Sequence, residues 1–346
     1  MSPYGAPQVP AVAALNTNEN PYSPSPALQK AITDAVAKVA VDLNRYPDRD
    51  ATILRTKLAT YINEGNGTSF TLDNIWAANG SNEIIQSIFL AFAQGAVLGF
   101  TPSYSMHPLI AKTTGAQWID GKRNADFSLN ASDAVSEIVK NKPSLTFITT
   151  PNNPTGGAVT LAEIQKLADA AKEVGGLLVV DEAYAEFSQE TSAVTLVANN
   201  PHVIVIRTMS KAFAFAGARL GYLVSDVAVK DAMMIVRLPY HLSALTQAAA
   251  QVAIDHRAEL LSGVSTLIKA RGEVVQALHD MGLTTITSSA NFVLFTGFKQ
   301  DAPQLWAALL EKGVLIRDVG LSGYLRVTIG NEAENKLFVS ALKELI

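Results

Sequence analysis

The chain contains no cysteine. That absence excludes disulfides, thiolate metal sites and a cysteine nucleophile. Charge is also scarce: 17% of residues are Asp, Glu, Lys or Arg and the formal net charge is -4. No basic field exists to hold nucleic acid or an anionic membrane surface. Long apolar runs are missing too. The least polar stretch, Phe89 to Phe100, is interrupted by Gln94 and Gly95 and falls well short of the roughly 20 residues a membrane span needs. The histidines (107, 202, 241, 256 and 279) show no metal-ligand spacing, so no metal is expected. Met1 to Gln8 carries Pro3, Gly5 and Pro7 without a basic region ahead of an apolar core, so no secretory signal is expected and the protein reads as soluble and cytoplasmic. The partners left are small molecules or a second copy of the chain.

What remains is a chain of 346 residues, 48% apolar, long enough for about two domains. Short apolar runs alternate with helix-like segments, the rhythm of an α/β fold. Candidate strands are Ile75 to Ala78, Ala96 to Phe100, Leu145 to Thr149, Leu177 to Asp181, Val203 to Arg207 and Gly221 to Val224. Each suits a mostly parallel sheet covered on both faces. Glu83 to Ala93, Ser132 to Lys140 and Leu161 to Glu173 show apolar residues at helical spacing, and Thr160 with Glu163 reads as a capping box. Beyond Pro239 the pattern is helical to about Leu278. Then Phe292 to Phe295, Val314 to Arg317 and Leu325 to Ile329 supply strands of a smaller α+β domain. Residues 46–260 are therefore read as the large domain and 261–346 as the small one. The segment 1–45, helical from Ala27 to Leu43, is expected to pack on the small domain.

Chemistry concentrates at strand ends, where α/β proteins place their ligands. Thr208-Met209-Ser210-Lys211-Ala212-Phe213 follows the strand ending at Arg207, and Arg219 stands eight residues beyond the lysine. Composition alone makes Lys211 one surface lysine among many. Its apolar, small-residue setting points elsewhere, because burial lowers an amine's pKa and leaves it neutral for Schiff-base formation. Thr208, Ser210 and Arg219 could converge on a phosphate, whose oxygens take hydroxyl and guanidinium donors. Asn79-Gly80-Ser81-Asn82-Glu83 opens a helix with small residues, leaving backbone N–H groups for an anion.

The segment S-K-A-F-x-x-A-G-x-R-x-G around Lys211 resembles the cofactor-lysine motif of the histidinol-phosphate aminotransferases, pyridoxal 5'-phosphate enzymes of fold type I. Further segments resemble that family in the same order: Asn16 to Tyr22 (N-E-N-P-Y), Arg45-Tyr46-Pro47-Asp48, the turn at Ser81 and Asn82, Tyr104, Pro151 to Gly156 (P-N-N-P-T-G) and Asp181-Glu182-Ala183-Tyr184. The likeness runs from about Leu15 to the C-terminus. It implies Lys211 as the Schiff-base lysine and Asp181 as the partner that keeps the pyridine nitrogen protonated, so that the ring acts as an electron sink. Tyr184 and Asn153 are then donors to the cofactor O3′, and Tyr104 stacks on the ring. Ser81 and Asn82, with Thr208, Ser210 and Arg219, hold the phosphate. Tyr46 is expected to reach the phosphate in a neighbouring subunit, which implies a homodimer with shared sites. Arg326 is expected to hold the substrate carboxylate or phosphate, Arg317 to be a second phosphate ligand, and Tyr22 and Asn20 to line the entrance. Tyr240 and His241 lie in a segment that resembles one near the family's active site, without an assigned role. The stretch before Leu15 is shorter than the arm common in the family, which bears on the dimer.

The activity implied is amino transfer from L-histidinol phosphate to 2-oxoglutarate, giving imidazole-acetol phosphate and L-glutamate, a step of histidine biosynthesis. An aromatic amino acid aminotransferase shares every cofactor residue named and differs only in its pocket. A decarboxylase on the same fold and a cofactor-binding regulator are the further alternatives, the regulator lacking any DNA-binding module in this sequence.

Overall fold

The structure, a computed structural model, describes residues 5–346. Residues 1–4, including Pro3 of the leader, lie outside the described residues. A seven-stranded sheet runs in the spatial order Ile75–Ala78, Gly221–Val224, Val203–Thr208, Leu177–Asp181, Leu145–Thr149, Val97–Thr101, Trp118–Lys122. All neighbours pair in parallel except Gly221–Val224, which is antiparallel to both of its partners. The expected strands recur with ends shifted by at most one residue. Trp118–Lys122 was not expected. It is an edge strand with Asp120 and Lys122 exposed and only Gly121 buried, so it lacks the continuous apolar run that marks the buried strands.

Side chains alternate across a strand, and the sheet buries one apolar cluster on each face. Leu178, Val180, Val203 and Val205 join the cluster beneath helices Thr52–Asn66, Leu161–Glu173 and Ala244–Asp255. Phe147, Val179, Ile204 and Ile206 join the one beneath Ser81–Phe92 and Val227–Val236. Helix Leu161–Glu173 begins at Thr160, whose side chain accepts from the Glu163 amide while Glu163 reaches back to the Thr160 amide. A reciprocal cap of this kind satisfies two donors that a helix start leaves open.

The C-terminal residues form a second unit, a four-stranded antiparallel sheet in the order Arg317–Asp318, Leu325–Thr328, Phe292–Thr296, Thr284–Thr285. It packs with Ala302–Glu311, Glu332–Leu345 and the long helix Arg257–Asp280 over its own core. Helix Arg257–Asp280 joins the two units: Leu260 belongs to the core of the large sheet and Val264 to that of the small one. The run Val314 to Arg317 breaks at Ile316. Val314–Leu315 pairs in parallel with Ala13–Ala14, and Arg317 pairs opposite Arg326. The segment ahead of position 45 divides in the same way. Ala13–Ala14 adds to the small unit, but helix Pro26–Ala40 lies along Ala244–Asp255 and buries Leu28 in the large core. The expectation that this helix packs on the small domain is corrected by that contact, made because its apolar stripe of Leu28, Ile32 and Val36 meets the large core.

Candidate active site

The parallel strands end at a cavity of about 310 Å³ between the two units. Lys211, Asp181, Tyr184, Ser81, Asn82, Tyr104, Asn153, Thr208, Ser210, Arg219 and Arg326 all line it. The strands run in the same direction, so the loops carrying Tyr104, Asn153, Tyr184 and Lys211 emerge at one edge. Arg219 reaches that edge because the antiparallel strand starts there.

Lys211 Nζ donates to the Thr17 carbonyl at 2.8 Å. Burial, followed by the nearby Arg326, lowers its pKa to about 8, with Glu19 working weakly in the other direction. Asp181 is 2% exposed. One carboxylate oxygen lies 3.3 Å from His107 Nε2, and the other has no hydrogen-bond partner among the described residues. A buried oxygen without a donor is costly, so the site fits a cofactor with a ring N–H to offer. His107 projects from helix Met106–Thr114, with its ring edge-on to Tyr104. In the sequence His107 is one of five histidines without metal spacing, and only its place three residues after Tyr104 marks it out.

The start of helix Ser81–Phe92 offers donors of the kind an anion takes. Helix Ser81–Phe92 has Gly80 at its start and no side-chain cap, so its first amides are open to an anion. Gly80 has φ +84, and a Cβ there would lie 2.7 Å from Arg219 Nη2. A Cβ on Gly221 would lie 2.5 Å from the Ser81 nitrogen. The two glycines thus let the guanidinium and the strand close onto the helix start. Thr208 and Ser210 bond to each other at 3.0 Å between hydroxyls.

Across the cavity, Arg326 donates to Asn153 Oδ1 at 2.5 Å and to the Asn16 carbonyl at 2.7 Å, with its guanidinium 5.1 Å from the Phe292 ring. Asn18 donates to the Tyr184 hydroxyl at 2.9 Å, and Tyr104 donates to Asn82 Oδ1 at 3.0 Å. Residues 16–19 therefore form a strap at the cavity: Thr17, Asn18 and Glu19 line it and the Asn16 carbonyl holds Arg326. Asn20 donates to the Ala212 carbonyl, and Tyr22 is 39% exposed against Gly263. Neither lines the cavity, nor does Arg317, which donates to the Gly5 carbonyl. Tyr46 is 79% exposed and stacked on Tyr240 at 4.4 Å between ring centres. His241 packs beside Trp76 and bonds to the Ala77 carbonyl.

Residues 10–342 match the family described as aminotransferase class I and II. A histidinol-phosphate aminotransferase of Mycobacterium sp. (strain JLS) is 50% identical over 348 residues, covering 100% of this chain and 92% of its own. One from Rhodococcus jostii (strain RHA1) is 50% identical over 99% of this chain and 90% of its own. The crystal structure of histidinol-phosphate aminotransferase from Sinorhizobium meliloti in complex with pyridoxal-5'-phosphate superposes with a TM-score of 0.84 at 24% identity, covering 97% of this chain and 91% of that one. With a lysine, a free carboxylate oxygen and an anion cradle around one cavity, the chain belongs to the class I and II aminotransferases, a family that works with pyridoxal 5'-phosphate.

Proposed function

We propose that the protein transfers an amino group from L-histidinol phosphate to 2-oxoglutarate. The observation that carries this reading is the 50% identity across the whole chain to proteins named for that activity. Bound pyridoxal 5'-phosphate supplies a conjugated ring that takes up the electron pair left when the substrate Cα–H bond breaks. Lys211 Nζ would accept that proton and return it two bonds away, at the cofactor C4′. A pKa of about 8 leaves about one amine in five neutral near pH 7.4, against fewer than about one in a thousand for an ordinary lysine. Asp181, with one oxygen held toward His107, keeps the ring nitrogen protonated through the other. Ser81, Asn82, Thr208, Ser210 and Arg219 hold the phosphate, Tyr104 covers the ring, and Tyr184 and Asn153 serve its O3′. Arg326 takes the substrate anion, since a guanidinium fork bonds carboxylate and phosphate alike. The strap at residues 16–19 excludes water, and Asn20 and Tyr22 flank the way in.

The reading extends to a homodimer. Tyr46 faces solvent stacked on the exposed Tyr240, and Leu43 and Leu238, close to them in sequence, are exposed as well; large apolar side chains left in water are of the kind that marks a protein interface. In a dimer Tyr46 would serve the partner's phosphate site. Residues 46–260 would hold the cofactor and 261–346 would carry the substrate arginine.

The deciding experiment follows the visible absorption of the purified, cofactor-loaded protein as histidinol phosphate or phenylalanine is added. A change at far lower histidinol phosphate is expected. Preference for phenylalanine would transfer the chain to the aromatic enzymes. Loss of the band in Lys211→Ala is the companion result, and a retained band would remove Lys211 from its role.

A further inference from the structure

A strand places consecutive side chains on opposite faces of the sheet. Asp181 faces the active site, so Glu182 faces away. Thr208 faces the active site, so Arg207 faces away. On that far face a buried polar cluster ties the two strand ends together. Arg207 donates from Nε to Glu182 at 2.8 Å, from Nη1 to Glu186 at 3.0 Å and from Nη2 to the Ser192 hydroxyl at 2.9 Å. Glu182 also accepts from the Ala193 amide at 2.7 Å. Tyr61 donates to Glu186 at 3.2 Å and sets its ring edge-on to Phe213, two residues past Lys211, at 5.3 Å. The cluster therefore touches the segments that present Asp181, Tyr184, Thr208 and Lys211, without lining their cavity.

Such a cluster is a poor way to gain stability. Taking one guanidinium and two carboxylates out of water is costly, and apolar side chains of similar volume often hold a fold as well. What apolar packing cannot supply is direction. A planar guanidinium with three sets of donors fixes Glu182, Glu186 and Ser192 relative to one another, where a lysine offers only a point charge on a flexible stem. Burial opposes the charge on Arg207, but Glu182 and then Glu186 more than offset it and hold its pKa above the ordinary arginine value. The guanidinium stays charged, and all three of its nitrogens are engaged.

The geometry points to Arg207 as a positioning residue: from behind the sheet it holds the turn Asp181–Glu186 in register with Thr208, so that the ring-facing carboxylate and the phosphate-facing hydroxyl keep their spacing. The inference rests on the roles given above to Asp181 and Thr208. It adds a requirement those roles do not contain, that a side chain outside the cavity governs how well the cavity grips its cofactor.

The test uses cofactor-loaded enzyme carrying Arg207→Lys, which keeps the charge and loses the fork. Four quantities are measured: thermal midpoint, dissociation constant for pyridoxal phosphate, pH titration of the visible band, and kcat and KM for glutamate. Displacing an active-site group by a fraction of an ångström costs on the order of tenfold to a hundredfold. The variant is expected to release the cofactor about tenfold more readily, to shift the titration of the band, and to lose about tenfold in kcat. KM for glutamate should stay within about twofold, because Arg326 stands on the other unit. If Arg207→Lys does not fold, Glu186→Gln keeps the volume and the Arg207–Glu182 pair, and the same changes are expected at about threefold. A folded variant with a lower thermal midpoint but unchanged cofactor retention, titration and kcat overturns the proposal. Asp181→Asn and Thr208→Ala are measured beside it. If Asp181→Asn changes the band and kcat, and Thr208→Ala the retention, while Arg207→Lys changes none of them, the positioning role alone fails. If those two change nothing, the reading of the site fails and the positioning role with it.

Discussion

Lys211 carries a cost that stability measurements can expose. In the cofactor-free chain its pKa falls from the ordinary 10.5 to about 8, chiefly through burial and then through Arg326. At about 1.4 kcal/mol per unit, that fall is worth about 3 kcal/mol. Below pH 8 the amine is protonated folded and unfolded alike, so the folded state bears the full penalty. Between pH 8 and 10.5 the unfolded chain binds more protons, so stability rises with pH, and above 10.5 the penalty is gone. Lys211→Met removes the penalty along with the hydrogen bond to the Thr17 carbonyl, itself worth about 1 kcal/mol. The methionine variant should therefore be more stable than the parent by about 2 kcal/mol at pH 7, or roughly 2 to 4 °C in thermal midpoint. By pH 10 the advantage should have nearly vanished. Calorimetry of both cofactor-stripped proteins at pH 7, 8, 9 and 10 measures the difference, in which other titrating groups cancel. A gap that is the same at every pH, or a methionine variant less stable at pH 7, refutes the placement of a neutral-leaning amine in this cavity.

Three further outcomes follow from the same geometry. Asp181→Asn, which removes the charge from the carboxylate proposed to face the ring nitrogen, should lower kcat by about a hundredfold or more while the cofactor stays bound; near-normal turnover in a loaded sample would count against Asp181 as the ring partner. Mixing inactive Lys211→Ala with an inactive Tyr46→Ala chain should restore part of the activity, since one hybrid site would hold both wild-type residues, and no recovery from a purified heterodimer would assign Tyr46 to its own subunit or to none. Arg326→Ala should raise KM for both glutamate and histidinol phosphate by about tenfold to a hundredfold, whereas Arg317→Ala, whose guanidinium is turned to the Gly5 carbonyl, should leave the glutamate KM within about twofold; equal losses in the two variants would put Arg317 in the substrate pocket.

Much of this protein was written in local patterns. The buried strands from Ile75–Ala78 to Gly221–Val224 were legible because a strand covered on both faces must be apolar throughout, and the capping box at Thr160 because its two residues meet within one turn. The residues at the strand ends were legible because their chemical types sit directly after those runs. Tertiary structure alone decided the rest. No local signal says that helix Pro26–Ala40 lies on Ala244–Asp255, because an amphipathic stripe states that a face must be buried and not against what. The pairing of His107 with Asp181 spans 74 residues, and that of Arg207 with Glu182 spans 25. Each depends on the order in which strands assemble, a property of the whole sheet. The sequence by itself determined which chemical groups stand at the strand ends that line the cavity. Packing determined their surroundings, and so the lysine's lowered pKa, the carboxylate's free oxygen and the clamp behind both, because desolvation and hydrogen-bond geometry exist only once distant segments have been brought together.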